Sequence, residues 1–381
     1  MTLPMKNAVS LMNDALPRWQ RLAPTLLLAL MPVCALPAAA GPLAGVDMPS
    51  PDKAKAGLPA PLPKPVRLSF CIFDPLGPQG KIIQSARDLA KFAEEWNLFA
   101  DIRPYTDERI AAEDFKAGQC DVVAISTLRA KQFNFTIGSI DAPGNLRNYA
   151  EMKSFMQMVA NPVVASLAVN GRYQIAAIVP IGSIFVYVND RQINSLSKAA
   201  GKRVVVLDWE PNMSKLISGI GAQPVPADFS TYAGKFNNGQ ADIIAAPAMG
   251  YKPMELAKGM GSKGGVIRFP LLQATAAVVV RRDRVLPKIP DLDSRLNQLR
   301  KFGLQYVDGL FNMLKAAEDD IPKNFWIDLP QAEQDKYYQM LSEARKVLTR
   351  NGVYDPVMMS LLKRARCKNV PGAAECGNYD E

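Results

Sequence analysis

From Val66 onward, apolar positions follow two alternating rhythms: short unbroken runs, and longer stretches with a helical period. Val66–Phe73 is a compact run that stops at Asp74-Pro75-Leu76-Gly77, as a buried strand stops at a turn. Over 82–96 the apolar residues Ala86, Leu89, Phe92 and Ala93 share one helical face. A strand near 99–105, a helix over 106–116 with Asp107 and Glu108 in its first turn, and a strand at 121–126 complete the unit. Strands alternating with helices at this spacing predict an α/β fold with a parallel sheet.

The same order then recurs: strand 201–207 ending at Asp208-Trp209, helix 212–220, short strand 223–226, a helix leading to Phe236, and strand 242–246. Phe115-Lys-Ala-Gly-Gln-Cys-Asp-Val-Val-Ala124 aligns with Phe236-Asn-Asn-Gly-Gln-Ala-Asp-Ile-Ile-Ala245 at a constant offset of 121 residues. In each copy a helix closes on a glycine and an aspartate opens a buried strand. This duplication predicts two βαβ lobes, lobe one over 66–175 and lobe two over 176–270, with Asp121 and Asp242 opening equivalent strands in separate sheets. Two stretches read as crossings between lobes: 174–188, interrupted by Pro180 and Gly182, and the pair 265–269 and 274–281. Residues 271–381 supply the return crossing and a helical C-terminal segment, with helices at 292–302, 307–317, 331–351 and 356–366 packing on both lobes.

The amino-terminal region follows neither rhythm. Arg18 and Arg21 precede an apolar run over 23–36, and Ala38-Ala39-Ala40 follows. That is the pattern of a secretory signal peptide over 1–40, cleaved after Ala40. The run is too short for a membrane span and is broken by Pro32 and Pro37. Val33 before Cys34 argues against a lipoprotein box. Residues 41–65 carry seven prolines and read as an extended linker. The chain is therefore expected in the periplasm. Without the leader, four cysteines remain, which suits two disulfides in an exported protein. Three pairings are open. Cys367 and Cys376 lie nine residues apart across Pro371-Gly372, an easy local loop, which leaves Cys71 with Cys120 by exclusion.

Composition narrows the chemistry. There is no histidine among the 381 residues. Ser-His-Asp and Cys-His catalysis and histidine-ligated metals are excluded, and no cofactor or metal is expected. An enzyme could still work through Asp, Glu, Lys or Tyr, and the aspartates to consider as its base are Asp74 and Asp208. The net charge of +9 falls to +7 without Lys6, Asp14, Arg18 and Arg21. The basic residues are scattered, so nucleic acid is not an expected partner. Gly259-Met-Gly-Ser-Lys-Gly264 fits G-x-G-x-x-G, but it follows a helix and precedes a strand, the reverse of the dinucleotide context, and reads as a helix cap and turn.

In open α/β sheets ligands bind at the carboxyl ends of strands. Lobe one offers Asp74, with Pro75 and Leu76, and then Ser126, Thr127 and Arg129, with Phe133 and Asn134 close by. Lobe two offers Asp208, Trp209 and Asn212, then Pro247 and Tyr251, and the crossing adds Ser183 and Phe185. This set has donors, acceptors and aromatic faces but no nucleophile-base pair, which suits binding.

Gly201-Lys-Arg-Val-Val-Val206, Gly221-Ala-Gln-Pro-Val-Pro-Ala-Asp-Phe-Ser230 and Phe236-Asn-Asn-Gly-Gln-Ala-Asp242 resemble the substrate-binding subunits of TRAP transporters. The resemblance implies a type II periplasmic-binding-protein-like fold, two lobes joined by hinge strands. Cys71-Ile-Phe-Asp-Pro-Leu-Gly77 and Gly138-Ser-Ile-Asp-Ala142 look closer to a subgroup of exported solute-binding proteins, some of them efflux-associated. The larger family usually carries a carboxylate-clamping arginine where this chain has Val205; Arg203 lies two residues earlier on the same strand face. The expected function is capture of a small solute between the lobes for a membrane permease or envelope complex, by a monomer. The rivals are an accessory protein of an efflux or envelope complex without a tight solute, and an aspartate-dependent enzyme.

Overall fold

The computed structural model describes residues 57–378. The expected signal peptide over 1–40, its expected cleavage site and most of the Pro-rich segment lie outside the described residues. Ten strands follow in chain order: β1 Val66–Phe73, β2 Leu98–Tyr105, β3 Val122–Ser126, β4 Val169–Asn170, β5 Tyr173–Val188, β6 Arg203–Leu207, β7 Gln223–Ala227, β8 Ile243–Pro247, β9 Gly265–Arg281 and β10 Trp326–Ile327. They pair along one path, β2-β1-β3-β9-β5-β8-β6-β7, with β4 beside β5 and β10 beside β9. β1 is parallel to β2 and β3 in lobe one, and β6 is parallel to β7 and β8 in lobe two.

The expectation of separate sheets is corrected. β5 and β9 run antiparallel through both lobes and are 16 and 17 residues long, enough to lend one half to each. The C-terminal half of β9 pairs with β3, and the C-terminal half of β5 with β8. Pro180 and Gly182 do not end β5. They fall at a register shift, with Gly182 at a φ of +112° that favours glycine. The two stretches 265–269 and 274–281 are one strand, and Pro270 between them sits where β9 has no partner residue on β5, so its missing N–H breaks no ladder bond.

The 121-residue offset is written into the hydrogen bonding. Asp107 and Asp228 both cap helices, accepting from the N–H groups of Arg109 and Ile110 and of Thr231. Gly118 and Gly239 close those helices at φ values of +86° and +69°. The Asp121 carboxylate accepts the Ser69 N–H at 3.0 Å, and the Asp242 carboxylate accepts the Arg203 N–H at 2.9 Å. In each lobe, then, the aspartate that opens the third strand pins the first strand beside it.

Four helices follow the sheet, Leu292–Leu304, Val307–Asp319, Gln331–Arg350 and Pro356–Asn369, at the places the periodicity indicated. The helix Tyr149–Val159, which the hydrophobic pattern did not reveal, packs Met152 and Phe155 into the lobe-one core against the last of them. Residues 59–62 pack on lobe one: Leu62 is 5% exposed in an apolar cluster, and Trp96 Nε1 donates to the Pro59 carbonyl. Gly259–Gly264 forms a helix end and turn ahead of β9.

Both disulfides are formed, Cys71–Cys120 and Cys367–Cys376. The first joins β1 to the residue before Asp121, and adjacent parallel strands bring their Cα atoms to 5.9 Å. We expect none of Cys71, Cys120, Cys367 and Cys376 to react with an alkylating reagent until the protein is reduced. Intact mass decides this, and any prompt alkylation overturns the pairing.

Candidate functional site

The lobes meet where the loops after β3 and β6 face each other. Ser126 ends β3, and its Oγ accepts the Arg129 N–H at 3.2 Å, which starts a short helical turn and aims the Arg129 side chain across the cleft. The guanidinium carbon lies 3.8 Å from the centroid of the Trp209 ring of lobe two. Behind it, Glu108 Oε2 lies 3.5 Å from Arg129 Nε, an ion-pair contact outside hydrogen-bond geometry. Glu108 itself is 1% exposed and accepts the Ser126 N–H through Oε1 at 2.5 Å. Burial pushes its carboxyl above the usual range, against the Ser126 bonds and the Arg129 charge.

Apolar contacts flank this stack. Phe73, the last residue of β1, meets Phe229 of lobe two edge-on at 5.2 Å. Leu128 packs into the lobe-two core, and Met249 packs against the lobe-one core. Deeper in lobe one, Thr127 and Asp141 share Thr275 of β9, whose Oγ1 is 2.7 Å from each. Asp141 is 5% exposed. Burial, opposed by the Thr275 bonds, pushes its carboxyl up to about 7. On the lobe-two side Glu210 follows Trp209. Burial raises its carboxyl, with the Lys131 and Arg129 charges pulling the other way.

Of the sequence-derived residues, Ser126, Arg129 and Trp209 come together where the lobes face each other, and Thr127 is buried beneath them on Thr275. Asp208 is exposed, Trp209 is half-buried, and the indole Nε1 has no acceptor among the described residues. Asn212 and Pro247 are half-buried, in the first turn of the helix Pro211–Gly219 and at the end of β8. The rest are placed otherwise. Asp74 is 2% exposed and spends both carboxylate oxygens on the turn after β1, accepting from Leu76 N–H at 2.9 Å and from Ile82 and Ile83 N–H at 2.9 and 3.2 Å. Phe185 is buried edge-on to Trp326, and Tyr251 is stacked on Tyr187 in the lobe-two core. Ser183 is buried between Glu318 and Gln273. Phe133 and Asn134 are likewise buried; the Asn134 amide donates to the Leu167 carbonyl.

Glu108 and Asp141 had not been picked out from the sequence. The signal for Glu108 was present: it lies three, four and seven residues before Ala111, Ala112 and Phe115, on the buried face of its helix. Asp141 stands inside the Gly138–Ala142 segment, with no periodicity to show its burial. Val205 is 1% exposed inside the lobe-two core, and Arg203 turns to Asp242 at the opposite end of the strand. Neither supplies a clamp. Among the described residues no cluster of three or more acidic or cysteine side chains is arranged to hold a metal ion, and no helix is long and apolar enough to cross a membrane.

Asp74→Ala is expected to cost about 2 kcal/mol of stability, as loss of a strong helix cap does, with Asp74→Asn recovering part of it. Thermal melting checks this, and an unchanged midpoint would free Asp74 for another role.

Residues 95–381 match the family model of solute-binding protein AdeT 1/2. The chain belongs to that family. It is 40% identical over 310 residues to a protein named "Probable solute-binding protein AdeT1" of Acinetobacter baumannii, covering 81% of this chain and 100% of that one. To its counterpart AdeT2 it is 26% identical over 240 residues, 63% of this chain and 98% of that one. Among solved structures, a TRAP periplasmic solute-binding protein of Ralstonia eutropha with bound (S)-2-acetolactate superposes with a TM-score of 0.65 at 15% identity, covering 79% of this chain and 99% of that one. One from Pseudomonas putida with bound D-glucuronate gives 0.63 at 12% identity, covering 78% and 96%. At such identities the likeness shows the fold, two α/β lobes around crossing strands.

Proposed function

We propose that this protein captures a small solute between its lobes in the periplasm and delivers it to a membrane transporter. The observation that supports this most is the contact of Arg129 with Trp209, one from each lobe. A solute held by both gains more from closure than one held by either, which couples binding to hinge motion. Family membership supports the solute-binding role. Native mass spectrometry of the protein as purified, with any co-purified solute released and identified, tests the proposal. Once a solute is in hand, Arg129→Ala and Trp209→Ala should each weaken it tenfold or more, about 1.4 kcal/mol, with the melting temperature of each solute-free variant measured alongside because Arg129 also faces the buried Glu108 and Trp209 packs on the lobe-two core. Unchanged affinity in both variants would place the site elsewhere.

A second function has its own support. Arg129, Trp209 and Glu108 already engage one another, and Phe73 fills against Phe229, so the cleft closes on its own side chains. That suits an accessory protein of an efflux or envelope complex that holds no tight solute. A broad ligand screen without a hit would favour it.

A further inference from the structure

We infer that the solute is a zwitterion, with a cationic head seated on Trp209 between Asp208 and Glu210 and an anionic head facing Arg129 and Lys131. This rests on the solute-binding reading above and deepens it. The two facing surfaces differ in sign. After β6, lobe two presents Trp209 with Asp208 exposed before it in the chain and Glu210 half-buried after it, and the cation of β6, Arg203, is turned to Asp242 at the far end of the strand. After β3, lobe one presents Arg129 and Lys131 on the same turn. Without a solute each surface serves as ligand for the other. The Arg129 guanidinium sits on the indole at 3.8 Å, while the Lys131 ammonium lies over the Tyr354 and Phe135 rings at 5.2 and 5.5 Å, with the Glu210 charge favouring its protonated form. Aromatic faces flanked by carboxylates are suited to alkylammonium and guanidinium groups, and this one already holds a guanidinium.

A solute that enters must part these partners and replace what each loses. An anion satisfies Arg129 and Lys131 but leaves Glu210 half-buried beside a second negative charge. A cation satisfies Trp209 and Glu210 but displaces Arg129 with nothing to receive it. The buried Glu108 answers Arg129 only from behind, with Oε2 outside hydrogen-bond geometry and no other donor. A zwitterion replaces both partners, and desolvated charges left unpaired are what a closed cleft tolerates least.

The test is a thermal-shift and native-mass-spectrometry screen of the exported protein against small metabolites grouped as zwitterions, anions, cations and neutral polyols. Two matched sets belong in it: glycine betaine with choline and 3,3-dimethylbutanoate, and 4-guanidinobutyrate with butylguanidine and hexanoate. Each pairs a zwitterion with analogues that keep only one charge. Hits are expected among zwitterions, with each hit's single-charge analogues at least tenfold weaker, and with Glu210→Gln and Lys131→Gln each weakening the zwitterion about fivefold or more. Hits confined to anions, cations or polyols, or a single-charge analogue that binds as well as its zwitterion, overturn this inference and leave solute binding standing. No hit in any class overturns the solute-binding reading and this inference with it.

Discussion

Replacing Arg366 by alanine should destabilise the protein by about 3 kcal/mol, the low end of what breaking a buried ion pair costs. Arg366 is 1% exposed, yet it is tied on every side. Its Nε and Nη2 reach the Glu375 carboxylate at 2.8 to 3.1 Å, and its Nη1 donates to the Asn145 carbonyl at 2.8 Å. Arg345 holds the carbonyls of Pro143 and Gly144 and approaches Glu375 to 3.7 Å. Glu375 stands next to Cys376, so the Cys367–Cys376 loop presents the acid to both arginines. Because Arg345 stays near Glu375, the variant does not strand that charge completely, which keeps the cost from the upper range. Urea unfolding measures it. Glu375→Gln combined with Arg366→Ala should cost clearly less than the two single changes added together, since they share one interaction. A cost below about 1 kcal/mol for Arg366→Ala, or full additivity, would mean the network contributes little to folding.

The second large effect is on pH dependence. The Asp141 carboxyl is raised from an ordinary 3.8 to about 7, chiefly by burial. An acid whose folded pKa is raised binds its proton more tightly when folded. Its contribution is therefore present in full below the unfolded pKa near 4 and is lost as pH rises through about 7. The shift corresponds to about 4 kcal/mol. Glu108, raised in the same direction by burial, adds to the trend. Asp141→Asn keeps an oxygen to accept the Thr275 N–H, turns the second contact into an amide N–H donating to Thr275 Oγ1, and removes the titration. Relative to the parent, the variant should gain stability steadily between pH 4 and 8, by up to about 4 kcal/mol. Denaturation at a series of pH values checks this, and a constant difference between the two proteins would exclude Asp141 as the titrating group.

The 121-residue repeat, the alternation of strand and helix and the C-terminal helices were all legible along the chain, because each is a local matter. A strand buried on both faces must be apolar, a helix shows its period, and Asp107, Gly118, Asp228 and Gly239 act within a few residues of themselves. Arg129 and Trp209 were also legible as candidates, since the ends of parallel strands are where such a fold collects its ligands. Only the tertiary structure decided that β5 and β9 join both lobes into one sheet, a matter of strand length measured against lobe width. It also decided that Asp74 belongs to a turn, that Phe185 and Tyr251 belong to the core, and that Glu108 and Asp141 lie beneath the cleft. A carboxylate looks the same in sequence whether backbone N–H groups, a guanidinium or water will surround it. Its role follows from neighbours that the chain brings up from far away: Thr275 stands 134 residues from Asp141, and Trp209 stands 80 from Arg129.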